Sequence, residues 1–139
     1  MPNTKILIVE DNALISMLIE TTLKSDGHTD LTACHTVTKS MELLTRIKPQ
    51  FAILDFNLGG GSNSIPIAHK LTSMGVPFIL LSGYTEGTGI IPYDLGEVGR
   101  LKKPFQKRQL LEYTRASVEC ISLGIDAPDI LNEKPRDKC

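Results

Sequence analysis

Five short apolar runs alternate along the chain with longer segments whose apolar residues recur at helical spacing, the pattern of a parallel sheet covered on both faces. Lys5–Glu10 (KILIVE) is continuous apolar sequence closing on an acid, as a strand buried on both faces reads. Asp11 or Asn12 can cap the helix that follows. Leu14, Met17, Leu18, Thr21 and Leu23 give this helix an apolar face, and Gly27 stops it. His28–His35 is a more polar second strand, expected near the sheet edge. Thr36 caps a second helix with Met41, Leu44 and Ile47 on one side, ended at Pro49, and Phe51–Asp55 (FAILD) is a third strand, again apolar up to a terminal acid. The run Gly59-Gly60-Gly61-Ser62-Asn63-Ser64 reads as a flexible turn. Pro66 opens a third helix with Ala68, Leu71 and Met74 inward, Gly75 stops it, and Val76–Leu81 is the fourth strand. Between Thr85 and Gly99 glycine and proline recur so often that a fourth helix is expected to be short, irregular or absent. Val98–Lys102 is the fifth strand, and Gln106–Ser122 a last helix with Leu110, Tyr113, Thr114, Ser117, Val118 and Ile121 on one face. Residues 1–122 are expected to form one domain, and 123–139 a flexible tail.

Composition narrows the class without naming an activity. At 139 residues the chain has room for one hydrophobic core, and 41% hydrophobic with 22% charged residues is the balance of an ordinary soluble globular domain. A net charge of -1 leaves no basic surplus to neutralise nucleic-acid phosphates, so DNA is not an expected partner. The longest apolar runs, such as Ile6–Val9 and Phe78–Leu81, fall far short of the roughly 20 residues that cross a bilayer. No membrane partner is expected. The first residues lead straight into strand pattern with no secretory leader, which places the protein in the cytoplasm by default. Cys34, Cys120 and Cys139 form no CxxC pair and are read as reduced bystanders, and His28, His35 and His69 share no metal spacing and receive no role. The basic run Arg100, Lys102, Lys103, Lys107 and Arg108 reads as a solvated face.

The informative residues stand where strands end. Ligands of open α/β sheets bind outside the C-terminal strand ends, and those positions hold Glu10 and Asp11, Asp55, Ser82 and Lys103. A flavodoxin-like strand order, 2-1-3-4-5, brings three carboxylates together. Such a cluster lasts only if some carboxylates stay protonated or a hard cation neutralises them, and all-oxygen ligation suits Mg²⁺. A carboxylate can also act as nucleophile toward a phosphoryl group, given a cation and further donors for the developing charge. Lys103 offers the ammonium and Ser82 the hydroxyl. The glycine run does not compete with this reading, because no Gly-Lys-Ser/Thr follows it.

Glu10-Asp11, Asp55, Ser82 and Lys103-Pro104-Phe105, in this order and spacing, resemble the receiver domain of two-component response regulators from about Lys5 to Cys120. The resemblance implies that Asp55 accepts a phosphoryl group from a phosphohistidine. It implies Mg²⁺ held by Glu10, Asp11, Asp55 and the backbone carbonyl of Asn57, with Lys103 and Ser82 contacting the phosphoryl group and a cis bond before Pro104. Asp55-Phe56-Asn57-Leu58-Gly59-Gly60-Gly61, Gly75-Val76-Pro77-Phe78 and Ser82-Gly83-Tyr84 further resemble a proteobacterial group of receivers that occur alone or attached to hybrid kinases. The chain is also similar to the "FAT GUY" stand-alone receivers, although its Ser-Gly-Tyr is not their motif. Partners implied are a histidine kinase or histidine phosphotransferase and a downstream protein target, with the chain a monomer or weak homodimer. The switch region is atypical: Arg100 stands where most receivers carry Tyr or Phe, and Tyr84 is the candidate replacement or a lid over Asp55. That departure favours a competing reading as a phosphorylation-independent binding module, which the intact acids and lysine oppose. No enzyme acting on a separate substrate is expected; a phosphatase would need an acid where Asn57 stands.

Overall fold

Runs such as ILIV and the FAIL of FAILD are apolar at every position because both faces of the sheet they build are covered. The computed structural model describes residues 4–82 and 99–123. Along them run β1 (Ile6–Val9), α1 (Ala13–Ser25), β2 (Leu31–Cys34), α2 (Val37–Leu43), β3 (Phe51–Asp55), α3 (Ile65–Ser73), β4 (Phe78–Ser82), β5 (Gly99–Lys102) and α4 (Lys107–Leu123). The strands form one parallel sheet in the order β2-β1-β3-β4-β5, as the sequence implied. The more polar β2 is half-buried at the edge. Residues 83–98, where an irregular fourth helix was expected, and 124–139 of the expected tail lie outside the described residues.

Alternation along the strands sorts the core into two layers. Ile6, Ile8, Phe51, Ile53, Ile79 and Leu81 pack with Ile19 and Leu23 of α1 and Leu110 of α4. Leu7, Val9, Ala52, Leu54 and Leu80 pack on the other face with Ile67 and Leu71 of α3. Register then sets what meets at the strand ends: Val9 lies opposite Leu54, Asp55 opposite Leu81, and Ser82 opposite Lys102.

Two helices depart from the expected pattern. The face expected to be inward on α1 is outward, with Leu14 76%, Met17 62% and Leu18 40% exposed. Leu23 is buried as expected, but Ser16, Ile19 and Thr22 take the other inward positions, and Ile15 packs beside them. The sequence carries two apolar stripes on this helix. The Ile15–Ile19–Leu23 stripe is the one that packs on the sheet. α2 stops at Leu43 rather than running toward Pro49, because the Thr45 hydroxyl and N–H both bond the Glu42 carbonyl and close a turn there. Leu44 is buried as expected. Arg115 of α4 donates to both carboxylate oxygens of Asp26, the C-cap of α1, and holds that carboxyl below its usual range. Cys34 is free, and Cys120 is fully buried.

The two stripes of α1 are separable by truncation. Ile19→Ala is expected to cost about 3 kcal/mol in urea unfolding, and Leu14→Ala no more than about 0.5 kcal/mol. Similar losses from both would place the helix in the other rotation.

Candidate functional site

β1 and β3 are neighbours that end level, so the acids at their ends come to lie side by side. Glu10 is 1% and Asp55 2% exposed, both continuing the strand face that α1 and α4 cover. Glu10 is held on every side. Its N–H donates to the Cys34 carbonyl, its Oε2 accepts from the Asn12 N–H at 3.1 Å, and its Oε1 lies 3.4 Å from Lys103 Nζ. Capping falls to Asn12, whose Oδ1 accepts from Leu14 and Ile15 N–H, which leaves Asp11 exposed at the rim. Lys103 is placed by its own N–H, which donates to the Ser82 carbonyl at 2.7 Å, and its Nζ reaches Asp55 Oδ1 at 2.8 Å. The Lys103–Pro104 bond is cis, as the resemblance implied. One oxygen from each of Glu10, Asp11 and Asp55 falls within a 4.8 Å span. They line a cavity of about 280 Å³ together with Asn57 and Lys103.

The loop after β3 closes over the acids. Asn57 Oδ1 accepts from Gly59 N–H at 2.9 Å, Leu58 N–H donates to Ser62 and Ser62 N–H to Gly59, which makes a bonded turn. Asn57 pairs with Asn63 in a bridge whose bonds run between the flanking residues, so its own carbonyl is not consumed there. Gly59 could not be replaced cheaply: its φ is +81°, and an added Cβ would lie 3.0 Å from Asp11 Oδ2. Ser82 is buried at the end of β4 but does not line the cavity. Arg100 lies on β5 opposite Leu80, its side chain undescribed, and Tyr84 is outside the described residues. Sequence reasoning read Gly59 only as part of a flexible turn and Asn12 only as a candidate cap; the closeness of Gly59 to Asp11 and the bond from Asn12 N–H to Glu10 leave no sequence signal.

The response regulator receiver domain model matches residues 6–115. This chain belongs to the receiver domain family. The regulatory protein VanR of Enterococcus faecium is 31% identical over 116 residues, 82% of this chain, and the chain spans about half of that relative's length, 49%. Among solved structures, the receiver is similar to SdrG from Sphingomonas melonis at 30% identity and a TM-score of 0.69, covering 85% of this chain and 99% of that one. It shares its fold with the signal receiver domain of a Luxo repressor protein from Vibrio parahaemolyticus, at 19% identity and a TM-score of 0.76, over 88% of this chain and 95% of the other. Among the described residues no helix is long and apolar enough to cross a membrane.

The receiver's charge balance is uneven: three carboxylates face one ammonium. Burial pushes the Glu10 carboxyl up to about 7, with Asp55 adding to the rise and the Asn12 N–H and Lys103 opposing it. Burial also raises Asp55, against the pull of Lys103. Lys103 sits above its usual value, since the two carboxylates outweigh the burial that would lower it. Burial thus favours the protonated form of both buried carboxyls. A compact all-oxygen donor set that retains a proton near neutrality fits a hard divalent cation, which would replace that proton. Glu10, Asp11, Asp55 and the Asn57 carbonyl are the residues that would hold Mg²⁺.

The proton on Glu10 has a sign that can be measured. Native Glu10 keeps a proton that the unfolded chain releases near 4.5, so its contribution to stability is full below 4.5 and lost as pH rises through 7. In metal-free buffer, stability is expected to fall across that window by an amount on the order of 3 kcal/mol. Glu10→Gln should flatten the fall in urea titrations at successive pH values; an unchanged slope would assign it to other groups.

Proposed function

We propose that this receiver takes a phosphoryl group onto Asp55 from a phosphohistidine on a histidine kinase or histidine phosphotransferase, and signals by protein–protein contact. The observation that carries this reading is the 2.8 Å contact of Lys103 Nζ with Asp55 Oδ1 inside a cluster of three acids. An Asp55 oxygen attacks the phosphorus, the P–N bond to the donor imidazole breaks with its electron pair going to the ring nitrogen, and the product is an aspartyl phosphate. Lys103 shifts from the carboxylate toward the phosphoryl oxygens as charge moves outward, and Ser82 turns inward to donate to them. Mg²⁺, when bound, supplies the charge that lets an anionic nucleophile approach an anionic phosphoryl group. The chemistry is done on the chain itself, with hydrolysis of the phosphoaspartate as its only turnover.

The outward stripe of α1 gives the donor a place to dock. Leu14, Met17 and Leu18 lie at helical spacing on the exposed side of the helix whose first turn, at Asn12 and Ile15, rims the cavity. A donor whose histidine reaches Asp55 must cover this rim, and an apolar patch of that kind suits an amphipathic helix.

Incubation with acetyl phosphate and Mg²⁺ is expected to add one phosphoryl mass to the intact protein, and Asp55→Asn or chelation of Mg²⁺ to remove it. No adduct together with no Mg²⁺ binding would instead favour the phosphorylation-independent module. Met17→Asp should slow transfer from a phosphorylated histidine phosphotransferase by about tenfold while leaving acetyl phosphate labelling unchanged; equal slowing of both would deny α1 a docking role.

A further inference from the structure

His35 stands one residue past β2, and its ring finishes a ladder that the backbone leaves open. In the pairing of β1 with β2, the N–H groups of Ile6 and Glu10 donate to the carbonyls of Asp30 (2.9 Å) and Cys34 (3.1 Å). Continued parallel pairing would have the Glu10 carbonyl accept from the N–H of residue 36. Thr36 has already left the strand to act as N-cap of α2, its hydroxyl accepting from Lys39 N–H at 3.1 Å. The imidazole bonds the carbonyl instead, with His35 Nδ1 2.8 Å from Glu10 O. A carbonyl oxygen only accepts, so Nδ1 carries the hydrogen and the ring donates. This carbonyl belongs to the peptide that joins Glu10 to Asp11, two of the three acids whose oxygens share the 4.8 Å span.

We propose that His35 is a positioning residue for cation binding: by fixing the Glu10–Asp11 peptide it sets how the two carboxylates are aimed, without itself touching cation or phosphoryl group. The inference rests on reading the acid cluster as a Mg²⁺ site. Glu10 N–H is bonded to the Cys34 carbonyl and Glu10 Oε2 accepts from Asn12 N–H, and the His35 ring adds a tie on the Glu10–Asp11 peptide itself. Residue 35 is exposed, so replacing it opens no cavity in either core layer.

The test is Mg²⁺ titration by calorimetry of the full chain, paired with the Mg²⁺ dependence of acetyl phosphate labelling. His35→Ala is expected to weaken Mg²⁺ binding roughly tenfold and to raise the half-saturating Mg²⁺ for labelling in step, with the rate at saturating Mg²⁺ close to wild type. His35→Asn carries an N–H at the same δ position and is expected to recover most of the affinity. Unchanged affinity in His35→Ala, or a loss that Asn does not recover, overturns the positioning role. Failure of the wild-type protein to bind Mg²⁺ overturns the metal reading itself, and the inference with it.

Discussion

Crowding of negative charge at one edge of the sheet is the constraint on which the rest of this structure depends. Two carboxyls at 1% and 2% exposure, with a third at the rim, are held together by a single lysine that reaches both buried ones. Left alone, such a cluster would push itself apart or take up protons, and burial, with Asp55 adding to it, pushes the Glu10 carboxyl in the direction of the second. The same imbalance makes the edge receptive to a cation and, with it, to a phosphoryl group. Binding and chemistry are two ways of relieving one electrostatic excess.

The fold supplies the crowding through register. Neighbouring parallel strands that end level send their next residues out at the same height. The apolar strand bodies fill both core layers, and the carboxyls come where those strands end. Lys103 is tied in by the backbone bond from its N–H to Ser82, so the ends of β4 and β5 fix the ammonium as firmly as those of β1 and β3 fix the acids. On β1 the ladder continues past the strand through Glu10 N–H and is completed by the ring of His35. The site is therefore a consequence of where strands stop, and changes to the strand ends act on it even when they touch no ligand.

Much of this could be read from the chain because strand ends are legible. An apolar run that closes on an acid announces both the strand and the residue at its end, as KILIVE and FAILD do. Strand order, the edge position of β2 and the placing of Lys103 at the same sheet edge as the acids were read in that way. The rotation of α1 was legible only at Leu23, because Leu14, Met17 and Leu18 and the rival pair Ile15 and Ile19 both satisfy helical spacing with it, and which side packs on the sheet is settled by burial across the fold. The stop of α2 turned on a local bond from Thr45 that competes with helix continuation. Gly59 and His35 were invisible for a related reason: each acts by touching Asp11 or Glu10 across the fold, at distances the sequence does not encode.

The most direct test of the central claim is fluorine NMR of the protein with beryllium fluoride, a phosphoryl mimic that binds carboxylate oxygen. Protein-bound fluoride resonances are expected in the presence of Mg²⁺, and they should vanish in Asp55→Asn and on chelation. Bound resonances that persist without Mg²⁺ or in Asp55→Asn, or none at all in the wild-type protein with Mg²⁺, would contradict an edge whose acids and lysine are built around a cation and a phosphoryl group on Asp55.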